Sequence, residues 1–163
     1  MAFADSPFAA LTVIVAPAIL TNASSVLSLG TGNRIARVVD RTRELASGLA
    51  TIDPASPRAA AYREHLGRLK LRSDLLLRAL RCFYASIAAF AAAALISVVG
   101  SVVATSVTDP VFQIVAGLGL LVGTLGVGGL VVGGAVMVRE TQLAVQFLER
   151  ETEFLQAREH PPI

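Results

Sequence analysis

Residues 111–138 read VFQIVAGLGLLVGTLGVGGLVVGGAVMV, a run without a single charged side chain. Two similar runs precede it, FYASIAAFAAAALISVVGSVVATS over residues 83–106 and FAALTVIVAPAILTNASSVLSL over residues 8–29. A helix rises about 1.5 Å per residue and the hydrocarbon core of a bilayer is about 30 Å thick, so about 20 residues cross it. Each run is therefore long enough to form a transmembrane helix.

The overall composition agrees with a membrane location. Of the 163 residues, 54% are hydrophobic, and the mean hydropathy is +0.66, which exceeds the usual range of a soluble domain. The single cysteine, Cys82, excludes a disulfide within the chain. Because no basic residue precedes residue 8, we expect the first run to be a retained span rather than a cleaved signal peptide. The preference for Arg over Lys favours a bacterial source, and therefore the inner membrane.

The basic residues predict the orientation of these spans. Residues 30–81 carry eleven of the fourteen Lys and Arg residues, and the short segment 107–110 carries none. Loops rich in Lys and Arg stay on the cytoplasmic side of a membrane. We therefore expect the N-terminus outside, residues 30–81 inside and the C-terminal segment inside.

The segments between and after the spans show helical periodicity. Apolar residues recur at steps of three and four over residues 35–52 and again over residues 62–83, which predicts a helical hairpin over residues 33–81. A weaker repeat predicts a C-terminal helix over residues 139–158, followed by a disordered tail over residues 159–163. The predicted fold is an all-α membrane protein, a single unit whose three transmembrane helices extend into a cytoplasmic, coiled-coil-like stalk of three helices.

Small residues mark two of the spans. Glycines let helix backbones approach closely in lipid, so those on one face of the third span predict either packing within the chain or a homo-oligomer interface. Polar residues late in the first span predict either interhelical hydrogen bonds or a hydrated path. Gly30 and Gly32, at the end of that span, favour a bend over a helix that continues uninterrupted. The glycines are Gly119, Gly123, Gly126, Gly129 and Gly133, and the polar residues are Thr21, Asn22, Ser25 and Ser28.

Arginines flank the predicted spans on the cytoplasmic side, where they predict contact with anionic lipid headgroups, or simply fix the orientation. These arginines are Arg34, Arg37, Arg41, Arg78, Arg81 and Arg139. The basic stripe is short and lacks aromatic residues, which argues against binding of nucleic acid. No pattern of residues points to catalysis, a metal or a cofactor, since the two histidines, His65 and His160, lie in unrelated segments.

Residues 33–45 read NRIARVVDRTREL, with the pattern N-R-x-x-R-x-x-D-R-x-R-x-L directly after the first span. This pattern resembles a domain-of-unknown-function family of small bacterial inner-membrane proteins with three spans. The resemblance covers about residues 7–148 and implies fold and location, with no activity or site residue to carry over.

Together these features predict a non-enzymatic membrane interaction or scaffold protein, either oligomeric or an accessory subunit of a larger membrane complex. The alternative is a small channel or transport component whose polar path follows the first span.

Overall fold

The computed structural model describes the backbone of residues 7–103 and 109–159, and the side chains of residues 15–100 and 111–146. Over these residues the chain forms three α-helices, α1 (Pro7–Ala50), α2 (Pro57–Val103) and α3 (Asp109–Glu159). The predicted all-helical fold is confirmed. Glu159, the first residue of the predicted tail, belongs to α3, and residues 160–163 lie outside the described residues.

The turn between α1 and α2 is formed by local hydrogen bonds. Asp53 Oδ1 accepts a hydrogen bond from the backbone N–H of Ala55 at 3.0 Å. Ser56 Oγ accepts one from the N–H of Ala59 at 3.2 Å, which makes Ser56 the N-cap of α2. Pro57 then occupies the first helical position, where its missing N–H has no helical partner to lose.

Helix α1 continues across Gly30 and Gly32 without interruption. No glycine among the described residues has a positive φ, so both glycines have ordinary helical geometry. Thr31 Oγ1, between them, donates a hydrogen bond to the carbonyl of Leu27 at 2.7 Å. The helix is therefore not interrupted at Gly30 or Gly32.

The described residues group into two compact units, each containing part of all three helices. The first unit comprises α1 up to Thr31, α2 from Leu80 and α3 up to Gly133. The second unit comprises Gly32–Ala79 and α3 from Gly134.

In the first unit, α2 and α3 pack in an antiparallel arrangement through small residues. A Cβ added at Gly133 would lie 2.6 Å from the Phe83 ring, one at Gly129 would lie 2.6 Å from Ser86 Oγ, and one at Gly126 would lie 2.7 Å from the Phe90 ring. Glycine is needed at these positions because the side chains of α2 occupy the space. Phe83, Ser86 and Phe90 are fully buried as a result.

In the second unit, apolar residues of α1 and α2 form a buried core. Val38 and Leu45 of α1 pack with Leu69 and Leu76 of α2. Four partly buried residues pack against this core, namely Ile35, Tyr62, Leu66 and, from α3, Met137. All three helices therefore meet in this unit. The side chains of residues 147–158, in the predicted C-terminal helix, lie outside the described residues.

Within the described residues, two helices are long and apolar enough to cross a membrane. Both segments, Pro57–Gly100 and Val111–Gln146, contain an 18-residue window of mean hydropathy 2.2. Only 22% and 6% of these windows are buried, whereas the core helix of a soluble protein is mostly buried. The outward-facing apolar surface indicates a membrane protein. The first predicted span, residues 8–29, lies in α1, but the side chains of residues 8–14 lie outside the described residues.

Candidate anion-binding site

The second unit contains a buried carboxylate, that of Glu140 on α3. Its side chain is only 1% exposed. A carboxylate removed from water must be paired and hydrogen-bonded to remain ionised at an acceptable cost. Two arginines, one from each of the other helices, provide this pairing.

Arg72 of α2 makes the closer contact with Glu140. Its Nε donates to Oε1 at 2.8 Å, and its Nη2 lies 2.8 Å from the same oxygen. Arg34 of α1 donates from Nη1 to Oε2 of Glu140 at 3.2 Å and from the same nitrogen to Thr141 Oγ1 at 3.2 Å. The Glu140 carboxylate thus connects α1 and α2 to α3, and it holds both guanidinium groups in place.

Beside this network lies an open cavity of about 380 Å³ between α1 and α2. Four arginines line it, together with the apolar side chains of Val38 and Leu69; these arginines are Arg34, Arg37, Arg41 and Arg72. Arg34, Arg37 and Arg41 follow each other at steps of three and four, so they share one face of α1. The packing of Val38 against Leu69 in the core fixes the two helices on either side of the cavity.

Positive charge exceeds negative charge in this cavity. Arg34 and Arg72 share the single carboxylate of Glu140. Arg41 pairs with Glu44 at 2.6 Å, and both side chains of that pair are more than half exposed. Arg37 forms no hydrogen bond or ion pair with any residue that the structure describes. Among the described side chains, four guanidinium groups are therefore paired with only two carboxylates, which is an arrangement suited to an anion.

The structure brings together three of the six arginines predicted to contact anionic lipid headgroups. Arg34, Arg37 and Arg41 line the cavity, whereas the other three are exposed and do not line it; these are Arg78, Arg81 and Arg139. Sequence reasoning missed Arg72 and Glu140. The signal for Arg72 is its spacing, because it follows Leu69 by three residues and so shares one face of the predicted second arm of the hairpin with it.

The five predicted interface glycines lie along the face of α3 that meets α2. Gly126, Gly129 and Gly133 make the close approaches described above, while a Cβ at Gly119 would lie 3.3 Å from Ile96 and one at Gly123 would lie 3.8 Å from Ala93. Gly117, Gly128 and Gly134, by contrast, have open space where a Cβ would stand.

The predicted polar residues of the first span do not share one environment. Ser28 is buried and Thr21 is partly buried, whereas Asn22 and Ser25 are exposed. Ser25 Oγ donates to the carbonyl of Thr21, and Ser28 Oγ to that of Ser24, each at 2.9 Å. Ser24, also fully buried, has a hydroxyl without a hydrogen-bond partner among the described residues.

Within the described part of the chain, no group of three or more His, Cys, Asp or Glu side chains is placed to hold a metal ion. Cys82 is a free, partly buried thiol.

The fold and this basic cavity define an all-helical membrane protein with a charged unit formed by three helices. The chain belongs to the DUF2721 family, described as "Protein of unknown function", whose model matches residues 14–150. The family resemblance seen in residues 33–45 is thereby confirmed. No curated protein and no solved structure matches the chain.

Proposed function

We propose that this protein is a non-enzymatic interaction protein of the bacterial inner membrane, and that it binds partners through its second unit. The observation that carries this proposal is the Arg-lined cavity beside Glu140. The network holds three helices together, while Arg37 has no partner among the residues whose side chains are described, so positive charge is left there for another molecule. That arrangement is typical of a binding surface.

The proposal includes three membrane spans, with the N-terminus outside and the C-terminus in the cytoplasm. The helices are 44, 47 and 51 residues long, about twice the length that a bilayer requires. Such lengths support helices that extend beyond the membrane as a coiled-coil-like stalk. The concentration of basic residues in residues 30–81 supports a cytoplasmic location for that stalk.

Assembly into an oligomer or a larger complex is part of the same proposal. The close approach of α2 to Gly126, Gly129 and Gly133 supports packing within the chain as the role of these glycines. We therefore expect association to use the second unit, whose charged cavity and exposed arginines remain accessible.

The test is the mass of the full chain, purified in dodecyl maltoside and examined by native mass spectrometry. A discrete oligomer, or a stoichiometric complex with another membrane protein, would support the proposal. A second sample carries the variant Arg37→Glu, which reverses one charge of the cavity. A monomer that co-purifies with no partner, or an assembly unchanged by that variant, would contradict association through the second unit.

A small channel is the second candidate function. Ser24, Ser28 and Thr31 are buried polar residues at steps of four and three on α1, and the Ser24 hydroxyl has no hydrogen-bond partner among the described residues. Ion flux through liposomes containing the protein tests this candidate. Flux that Asn22→Leu and Ser24→Leu both abolish would support a channel, whereas the absence of flux would remove it.

A further inference from the structure

We propose that the cavity lined by Arg34, Arg37, Arg41 and Arg72 is a binding site for a phosphate group. The inference deepens the proposed partner-binding role of the second unit and rests on it. It assigns that role to one cavity and one ligand chemistry.

The network around Glu140 prepares two of the arginines to bind an anion. Arg72 uses Nε and Nη2 for Glu140, so its Nη1 group remains available. Arg34 uses Nη1 for Glu140 and Thr141, so its Nε and Nη2 remain available. An arginine presents five N–H donors in a rigid fork. Because both forks are already fixed, little side-chain entropy is lost when an anion binds.

Arg37 and Arg41 complete the cavity from α1. Arg37 has no partner among the described residues, and the partner of Arg41, Glu44, is 67% exposed. An ion pair in such an exposed position stabilises by at most about 1 kcal/mol, so Arg41 is readily released to a ligand. Both arginines can thus turn toward a bound anion without breaking a buried contact.

The chemistry of the cavity favours phosphate over a carboxylate or a nucleic acid. Phosphate presents several charged oxygens, and guanidinium groups bind them through paired, charge-assisted hydrogen bonds. A carboxylate offers only two oxygens and one negative charge, whereas the four guanidinium groups and their two carboxylate partners leave two positive charges uncompensated among the described residues. The cavity volume of about 380 Å³ lies at the small end of the range for ligand sites, which suits a single headgroup or small phosphate ester rather than a polymer.

The phosphate can belong to a lipid headgroup or to a soluble molecule, and the experiment separates the two. The full chain is purified in dodecyl maltoside, a detergent without phosphate. Inorganic phosphate is added in one arm, with chloride at equal ionic strength as the reference, and the unfolding temperature is measured. Phosphatidic acid is added in the other arm, with diacylglycerol of the same chains as the reference, and bound lipid is counted by native mass spectrometry.

The variant Arg37→Gln removes one guanidinium from the cavity without breaking a contact between described residues. The matched control is Arg43→Gln, which removes the same charge from the same helix at an exposed position that does not line the cavity. We expect Arg37→Gln to weaken binding about tenfold, the effect of losing one charge-assisted contact of about 1.4 kcal/mol. Arg43→Gln should change binding less than about twofold.

Selective loss of phosphatidic acid binding in Arg37→Gln would identify a lipid headgroup as the source, and selective loss of the phosphate effect would identify a soluble source. Losses in both arms would support a site that accepts either. The proposal is overturned if neither probe binds, or if Arg37→Gln and Arg43→Gln weaken binding equally. The mass of the assembly, measured on the same samples without added ligand, tests the proposed function separately.

Discussion

The Oε1 atom of Glu140 lies 2.8 Å from both Nε and Nη2 of Arg72. This contact joins α3 to α2, and the second oxygen of the same carboxylate joins α3 to α1 through Arg34. The buried side chain of Glu140 therefore contributes both to the contact of α3 with α1 and to its contact with α2 in the second unit. Removing one charge of this network should therefore destabilise the protein, because the charges that remain are poorly compensated.

Glu140→Gln should lower the free energy of unfolding by about 2–3 kcal/mol. Breaking a fully buried ion pair costs about 3–5 kcal/mol, and the partial exposure of Arg34 and Arg72, at 43% and 31%, reduces that cost. A glutamine would also place its N–H₂ donor opposite a donor of Arg34 or Arg72, and two donors cannot form a hydrogen bond. The measurement is titration with SDS in mixed micelles, followed by circular dichroism.

The matched control for this prediction is Glu44→Gln, which neutralises the exposed partner of Arg41. An exposed pair contributes less than about 1 kcal/mol, so this variant should unfold almost as the native chain does. Equal destabilisation by Glu140→Gln and Glu44→Gln would show that the burial of Glu140 does not matter for stability.

When a glycine of α3 is replaced by alanine, the change in stability should depend on how much space the added Cβ has at that position. Gly133→Ala places a Cβ 2.6 Å from the buried ring of Phe83, and Gly126→Ala places one 2.7 Å from that of Phe90. Overpacking of this kind costs about 1–3 kcal/mol. We expect both variants to unfold at lower SDS fractions than the native chain.

Gly128→Ala is the control, since no atom lies within 4 Å of the added Cβ. Alanine is the better helix former by up to about 1 kcal/mol, so this variant should be as stable as the native chain or more stable. Because the contacts of Gly126 and Gly133 lie within one chain, the losses should not depend on the ratio of protein to detergent. A dependence on that ratio would instead indicate an interface between copies.

The helices could be predicted from the sequence alone, because long apolar runs and apolar residues at steps of three and four are typical of helices and of few other structures. The sequence could not assign a partner to the glycines of α3. A G-x-x-x-G spacing indicates that a backbone can approach closely, but not which helix approaches. The assignment depends on Phe83, Ser86 and Phe90 of α2, whose spacing matches that of the glycines they contact. This match can be recognised only when the antiparallel register of α2 and α3 is known.

The charged site was less predictable for a different reason. Arg34, Arg37 and Arg41 form a recognisable stripe on one helix, so periodicity identified them. Glu140 directly follows Arg139 after an apolar run, where a charge is normally solvated, and nothing local signals its burial. Glu140 is buried because three helices meet around it. Its partners Arg72 and Arg34 lie 68 and 106 residues away along the chain, so no local sequence pattern connects them.

Two buried serines on α1 should respond differently to substitution by alanine. Ser28 Oγ donates to the carbonyl of Ser24 at 2.9 Å, so Ser28→Ala should lower the free energy of unfolding by about 1 kcal/mol. The Ser24 hydroxyl is buried without a partner among the described residues, so Ser24→Ala removes an uncompensated polar group and should leave stability unchanged or raise it. Both variants are compared in the same SDS titration. A loss for Ser24→Ala equal to that for Ser28→Ala would mean that a bound water or ion satisfies Ser24.

The proposed orientation predicts a pattern of chemical labelling. In a Cys82→Ala background, Ala55→Cys lies in the exposed turn between α1 and α2, on the side that the eleven basic residues assign to the cytoplasm. A maleimide that does not cross membranes should fail to label it in intact cells and should label it after permeabilisation. Ser6→Cys, before the first predicted span, should be labelled in intact cells. Labelling of Ala55→Cys in intact cells would reverse the orientation, and protection of both positions until permeabilisation would place both ends of the first span inside and reduce the number of spans to two.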